Sequence, residues 1–300
     1  MTEWPIGLAC CDEKIMKRLL FLFDTDQAPS VFDTVVGYDG GADHVVGYGG
    51  ITPENAGPLI DGAIFTRGPN EKRCTAIFVG GSNMAAGEEL LSAVTKRFFG
   101  NFRVSVMLDS NGSNTTAAAG VAQLAKVCDL GGKKVVVLAG TGPVGMRAAA
   151  LLAKEGAIVS VTSRVKQRAD AACRAIESRF EVAPTPIEAI DNDARHYAVK
   201  GADVVFAAGA IGVELLREQH WQRETGIEFI IDCNAQQPLG VAGIQASDRA
   251  IDRSGKLIFG ALGIGALKLK LHRACISQLF ERPDQVLDAE QIYALAKAMA

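Results

Sequence analysis

Three hundred residues, 48% of them hydrophobic and 22% charged, can bury one large core or two medium ones. A net charge of -3, 6% aromatic content and the lack of any long basic run argue against a nucleic-acid partner. No apolar stretch is long enough to span a bilayer, and the run before residue 12 lacks the basic start of a signal peptide.

In chain order, residues 1–15 show no strand or helix pattern and are expected to be an appended tail. Short apolar runs at 19–23, 75–79 and 102–108 read as strands. Residues 84–99 read as a helix, with Leu90, Leu91, Val94 and Phe98 on one stripe. The polar cluster at 109–114 reads as a loop opening a helix, and the domain boundary is placed there, after residue 112. A second series of strands follows at 134–139, 157–162, 202–207 and 227–232, with helices at 146–155 and 167–180. Asp288 caps a C-terminal helix at 289–299, expected to pack back on the first domain. Strand–helix alternation predicts parallel sheets with right-handed crossovers, and Val135, Val136, Val137 and Leu138 suit a strand buried on both faces. The expected architecture is α/β with two domains and a cleft between them. An N-terminal substrate domain spans 16–112, and a Rossmann-type doubly wound parallel sheet spans 113–287.

The strongest local motif is Gly140, Thr141, Gly142, Pro143, Val144 and Gly145, a GxGxxG run between an apolar strand and an alanine-rich helix. There Gly140 permits the tight turn, Gly142 lets the backbone approach a pyrophosphate, and Gly145 lets helix and strand pack closely. The helix start then offers free amides and a positive dipole end. A glycine-rich turn without a ligand is the plainer alternative. The next strand ends at Thr162, Ser163 and Arg164, followed by Lys166 and Arg168, with no acid at the tip. An acid there would bind the ribose 2′-hydroxyl of NAD, whereas Ser and Arg suit a 2′-phosphate, so the expected cofactor is NADP. An ordinary solvated basic helix start is the other reading. Ala208, Gly209 and Ala210 after the fourth strand, and Asn234 after the fifth, are candidates to border the nicotinamide half.

The seven cysteines are scattered and include no CxxC pair, so they are expected to be reduced thiols of a cytoplasmic chain without a zinc or iron–sulfur site. Asp24, Asp33, Asp39 and Asp43 are many carboxylates for one domain, but their spacing lacks a calcium-loop pattern and no metal is expected.

A wider set of runs carries a resemblance. The first domain holds Phe-Asp-Thr-Asp at 23–26, Pro-Ser-Val-Phe-Asp at 29–33, Val-Gly-Tyr-Asp-Gly-Gly-Ala-Asp-His at 36–44, and Ile-Phe-Val-Gly-Gly at 77–81. Met-Leu-Asp-Ser-Asn-Gly-Ser-Asn-Thr-Thr follows at 107–116. The second domain adds 140–145, Ala-Ala-Gly-Ala-Ile-Gly at 207–212, Asn-Ala-Gln-Gln-Pro-Leu-Gly at 234–240, Gly-Ala-Leu-Gly-Ile-Gly at 260–265 and Leu-Lys-Leu-Lys-Leu-His-Arg at 267–273. Over residues 16 to 300 the chain resembles the NADP-dependent methylene-tetrahydromethanopterin dehydrogenases of methylotrophic bacteria, one branch of which also accepts methylene-tetrahydrofolate. It differs in the tail before Met16 and in Ser163, where a glycine is expected.

The resemblance implies a pterin facing a nicotinamide across the cleft, with Lys268 as the active-site lysine. Pterin contacts are implied from Asp24, Ser30, Asp33, Asp43 and His44, and from Asp109, Asn111, Thr115 and Thr116. It also implies a homo-oligomer. From the residues alone, Lys268 would be a surface lysine of an alternating Leu-Lys run, His44 a pterin contact or a cap, and His272 structural. Two rival functions remain: a shikimate-dehydrogenase-like NADP reductase with a Lys–Asp proton-transfer pair, and a non-catalytic NADP sensor.

Overall fold

A computed structural model describes residues 16–300, so the tail expected at 1–15 lies outside the described residues. The first half alternates β1 (Leu19–Asp24), α1 (Val31–Asp39), β2 (His44–Tyr48), α2 (Gly57–Phe65), β3 (Thr75–Gly80), α3 (Met84–Lys96) and β4 (Ser105–Leu108). Helix α4 (Ser113–Val127) follows. The second half runs β5 (Lys134–Leu138), α5 (Pro143–Lys154), β6 (Ile158–Ser163), α6 (Lys166–Phe180), β7 (Thr185–Glu188), α7 (Asn192–Val199), β8 (Val204–Ala207), α8 (Glu218–Gln222) and β9 (Phe229–Asp232). It closes with β10 (Arg249–Arg253), β11 (Lys256–Phe259), the long α9 (Ala261–Leu279), β12 (Val286–Leu287) and α10 (Ala289–Met299).

Two sheets result. The first has the order β12-β4-β3-β1-β2 and is parallel throughout, so its strand order reverses between β1 and β3. The second has the order β10-β11-β9-β8-β5-β6-β7, the doubly wound arrangement, with its switch between β5 and β8. Ligands of open parallel sheets gather at the carboxyl ends of the strands beside such a switch. The expected strands and helices are present with ends within three residues of expectation. Not every strand is parallel, however: β10 pairs antiparallel with β11. Ser254 (φ 55°) and Gly255 (φ 75°) form the two-residue left-handed turn that a tight hairpin needs. This segment is polar and solvent-facing, and gives no apolar strand signal.

The core explains the join between the halves. Ala117, Ala118, Ala119, Val121, Ala122 and Leu124 of α4 are all buried. They share one apolar cluster with Leu20, Ala76 and Phe78 of the first sheet, Val135 and Val137 of the second, and α5, α9 and α10. Small side chains let three helices close on α4, and a Cβ at Gly120 would sit 3.1 Å from the Phe206 ring. Each fully buried Leu, Ile or Val contributes about 1.5–3 kcal/mol of hydrophobic stabilisation before entropy is subtracted. The end of the chain contributes to both halves. Strand β12 pairs with β4 of the first sheet, while α10 lies against α4, α9 and α5. Polar ties cross the same seam. Buried Arg147 of α5 donates to Asn114 Oδ1 (2.7 Å) and Glu88 Oε1 (2.6 Å), and Arg179 of α6 pairs with Glu88 and Asp288.

Candidate active site

At the carboxyl ends of β1 and β3 lies a cavity of about 320 Å³, lined by Asp24, Asp26, Ser30, Phe32, Asp33, Gly81, Ser82, Asn111, Gly112 and Lys268 among others. Its floor is built by carboxylates that organise backbone. Asp24 is 3% exposed and accepts from the amides of Asp26 (2.9 Å) and Ser30 (3.0 Å), which shapes the turn after β1. Asp26 accepts from the Ser82 amide and hydroxyl, both at 2.9 Å, joining that turn to the one after β3. Ser30 then caps α1 by accepting from the Asp33 amide at 3.1 Å.

Asp33 stands one turn into α1 with its carboxyl in the cavity. Burial pushes it from the ordinary 3.8 up to about 6. The charges of Asp109 and Asp24 push the same way, while the Ser30 hydroxyl and the Lys268 charge oppose. Lys268 enters from α9, more than 230 positions along the chain, and its Nζ lies 4.3 Å from the centroid of the half-exposed Phe32 ring. Asn111 (φ 55°) and Gly112 (φ 58°) turn the backbone left-handed beside it. A Cβ at Gly112 would come within 3.3 Å of Lys268 Nζ, so glycine leaves the lysine its room.

Behind this wall, Asp109 is 1% exposed and caps α4 by accepting from the Thr115 amide (3.0 Å) and hydroxyl (2.6 Å). Beneath Lys268 by one helical turn, His272 stacks on Phe78, with centroids 5.5 Å apart. Its Nδ1 is 3.9 Å from Asp109, but burial depresses its pKa to about 4, so it is neutral and makes no ion pair.

Of the residues expected to meet a substrate, the structure brings Asp24, Ser30, Asp33, Asn111 and Lys268 into this cavity. Half-buried Thr116 lies beside Gly112, while Asp109 and Thr115 are spent on capping within the interior. Asp43 and His44 are corrected. His44 pairs with Leu19, at the amino end of β1, whereas the cavity is at Asp24. Five residues of strand separate them by roughly 16 Å. Asp43 instead accepts from the Arg18 amide at 2.7 Å. Helix α1 carries the chain back to the wrong edge of the sheet, which nearness in sequence conceals. Phe32, Asp26 and Ser82 were missed as individual site residues. The first stands in an α1 stripe that reads as ordinary apolar surface, and the other two form a link visible only in three dimensions.

The second cavity, about 430 Å³, borders the carboxyl ends of β5 and β6 and is lined by Thr141, Thr162, Ser163, Arg164, Arg168, Arg195, Ala210 and Leu215 among others. The Thr162 hydroxyl accepts from the amide of Ala139 (3.0 Å), holding that residue at φ 51° just ahead of the glycine loop. A Cβ at Gly145 would lie 2.6 Å from Gly140 Cα, so these two glycines let loop and helix touch. A Cβ at Gly142 would meet nothing within 4 Å. Gly142 is the N-cap of α5, no side chain caps that helix, and Pro143 stands in its first turn. Val144 follows in the same half-buried turn and packs against the core. The helix therefore presents open space and unused amides, the arrangement a diphosphate fits.

Among the other nucleotide candidates, Ser163 is nearly buried and its hydroxyl accepts from the Val165 amide at 3.3 Å, while Arg164 is exposed at the rim. Lys166 is corrected: its Nζ pairs with Asp170 (3.0 Å) and the Pro186 carbonyl (2.9 Å), outside the cavity. Of Ala208, Gly209 and Ala210, only Ala210 lines the cavity; Ala208 and Gly209 are half-buried, and Gly209 packs on Leu215. Asn234 is 4% exposed and donates to the Ala210 carbonyl at 3.2 Å, so its amide holds that loop. Asp232 accepts from the amides of Asn234 (2.9 Å) and Val241 (2.8 Å), yet burial still pushes it up to about 6. Among the described residues no group of three or more metal-ligating side chains occurs.

Comparison with known proteins adds four findings. Residues 31–111 match the family model for methylene-tetrahydromethanopterin dehydrogenase, N-terminal. The chain is 62% identical over 286 residues to the bifunctional protein MdtA of Methylorubrum extorquens, covering 95% of this chain and 99% of that one. It is 30% identical over 283 residues to the NAD(P)-dependent methylenetetrahydromethanopterin dehydrogenase of the same organism, covering 90% and 95%. Among solved structures, a ligand-free 5-ketofructose reductase of Gluconobacter shares the fold, with a TM-score of 0.53 at 14% identity over 95% of this chain and 100% of that one.

Proposed function

Because the chain belongs to the methylene-tetrahydromethanopterin dehydrogenase family, we propose that it moves a hydride between NADP and the methylene carbon of a reduced pterin, tetrahydromethanopterin or tetrahydrofolate. One observation supports this most: Lys268, on the helix that follows the second sheet, completes a cavity otherwise built by the first half. On this reading residues 16–112 serve as the substrate domain and 113–287 as the nucleotide domain.

The second cavity suits NADP on its own geometry. The open space at Gly142, the uncapped start of α5 and the arginines at the end of β6 fit a diphosphate and a 2′-phosphate. Bound there, NADP supplies the hydride acceptor or donor. The chain's own groups need move no proton: departure of hydride from a carbon between two nitrogens leaves a cation delocalised onto them, so no general base is required. Their work is placement, which supplies on the order of 7–11 kcal/mol at best.

Asp33 has the acceptor geometry to pair with the amino-pyrimidinone edge of a pterin, and the Phe32 ring offers a flat face beside it. An ammonium next to the forming cation would oppose it, so Lys268 acts at the carbonyl edge of the ring. A shikimate-dehydrogenase-like reductase and an NADP sensor are not favoured by the family. A cytoplasmic homo-oligomer completes the proposal. No helix among the described residues is long and apolar enough to cross a membrane. Exposed Phe65, Phe99 and Phe102, with centroids 5.0–6.1 Å apart, form an apolar patch that a second copy would cover.

A spectrophotometric assay crossing both methylene pterins with NADP and NAD tests the reading. Turnover with at least one pterin, faster with NADP, is expected. No turnover with either pterin would overturn it.

A further inference from the structure

Three guanidinium groups converge on the 430 Å³ cavity, and they reach it by different routes. Arg164 and Arg168 belong to the turn from β6 into α6 and are exposed. Arg195 belongs to α7, on the far side of β7, and is only 9% exposed. Among the described residues none of the three forms an ion pair with a carboxylate, and no carboxylate lines the cavity. Like charges gathered without a counterion are costly, the more so when one is buried. Burial is indeed the main influence lowering the Arg195 pKa, and the charge of Arg164 lowers it further, while Asp191 and Glu214 oppose from longer range.

Arg195 is also immobilised. Its Nε donates to the Leu215 carbonyl at 2.6 Å and one terminal nitrogen donates to Asn192 Oδ1 at 2.6 Å. Asn192 is itself tied to Glu214 at 3.2 Å. Both direct acceptors are neutral, so no carboxylate bonds the guanidinium directly. The other terminal nitrogen, Nη1, has no hydrogen-bond partner among the described residues. A guanidinium at the wall of a cavity, held by two neutral acceptors and with one terminal nitrogen unbonded, has paid its ordering cost before any ligand arrives.

We propose that Arg195 is a second reader of the nucleotide's 2′-phosphate, gripping it from α7 while Arg164 grips it from the end of β6. The assignment rests on reading this cavity as the adenosine end of the NADP site. A ribose hydroxyl would leave three cations unbalanced, whereas a phosphate dianion answers two of them and accepts paired hydrogen bonds from guanidinium forks. Lys166, the basic residue nearest in sequence, is withdrawn by Asp170 and Pro186, and the distant Arg195 takes the place expected of it.

Isothermal titration with two probes, adenosine 2′,5′-bisphosphate and 5′-AMP, separates phosphate reading from general binding. Arg195→Gln is expected to weaken the bisphosphate by about tenfold or more and 5′-AMP by less than about twofold. Parallel loss of both probes would make Arg195 a wall of the adenosine pocket, and no loss would make it a brace for α7; either overturns the proposal. Should Gln disturb the fold by circular dichroism, Arg195→Lys keeps the charge but not the fork. A selective bisphosphate loss of about threefold is then expected, and equal change for both probes is the overturning result. Arg164→Ala guards the underlying reading. If the wild type binds both probes equally and Arg164→Ala changes neither, the cavity is not the 2′-phosphate site at all. If Arg164→Ala lowers the bisphosphate selectively while Arg195→Gln does not, the reading stands and only the role of Arg195 falls.

Discussion

Around the cavity between β1 and β3 stand three aspartates, Asp24, Asp26 and Asp33, answered by one lysine from far along the chain. Around the cavity at the end of β6 stand three arginines and no carboxylate. Both lie at carboxyl strand ends beside a switch in strand order, so topology decides where a ligand can sit. Side chains then decide which ligand, and the two cavities have opposite electrostatics: the acidic one suits a ring with donor edges, the basic one a polyanion. They differ in assembly as well. The glycine loop is six consecutive residues whose shape is set by local backbone, whereas the acidic cavity draws on four separated stretches.

That contrast can be broken at either cavity. The largest effect is expected from Gly142→Val, which places a side chain in the open space ahead of α5. Cofactor titration should show a loss of more than about 100-fold, with the circular dichroism spectrum unchanged. Normal affinity would reduce the loop to a structural turn.

Next in size is Lys268→Ala, expected to slow single-turnover hydride transfer by about 100-fold without a new pH dependence. Lys268→Gln retains a donor and should recover part of the loss. If Gln were as inactive as Ala, and the wild-type rate followed a titration absent from both, Lys268 would be a proton-transfer group. Full activity in Lys268→Ala would return it to the surface.

On the basic side, Arg164→Ala should weaken NADP binding by about 1.5–3 kcal/mol, the range for a hydrogen bond to a charged group, with NAD barely affected. Equal loss for both dinucleotides would show that Arg164 does not read the phosphate.

The smallest effect concerns Asp33. If its carboxylate accepts the pterin edge, kcat/KM should rise with pH through about 6, the value to which burial lifts it, while kcat stays level because no proton moves in the chemistry. Asp33→Asn should flatten that profile; an unchanged profile would assign the titration elsewhere. The stability sign is opposite. The folded state holds this proton more tightly than the unfolded chain, so the contribution of Asp33 is present below about pH 4 and lost as pH rises through about 6. Denaturant midpoints of wild type and Asp33→Asn across that window check it.

What the sequence determined by itself was whatever short-range periodicity and backbone shape encode. Val135, Val136, Val137 and Leu138 suited a strand covered on both faces, and the glycines at 140, 142 and 145 between strand and helix marked a turn. Asp288 before an apolar period similarly marked the start of α10 at its observed residue. Tertiary structure alone decided which polar side chains meet. Nothing near Lys268 in sequence says that α9 delivers it to the opposite sheet, nor near Arg195 that α7 brings it to Arg164. Asp43 and His44 belong to the run that includes α1, yet a helix that crosses the sheet leaves them at its other end. Lys166 stands beside Arg164 in sequence, yet it turns to an aspartate one helical turn away. Local conformation depends on residues a few positions apart, while the meeting of distant charges depends on strand order and helix packing. That is why the glycine loop could be read directly, whereas the acidic cavity required the fold.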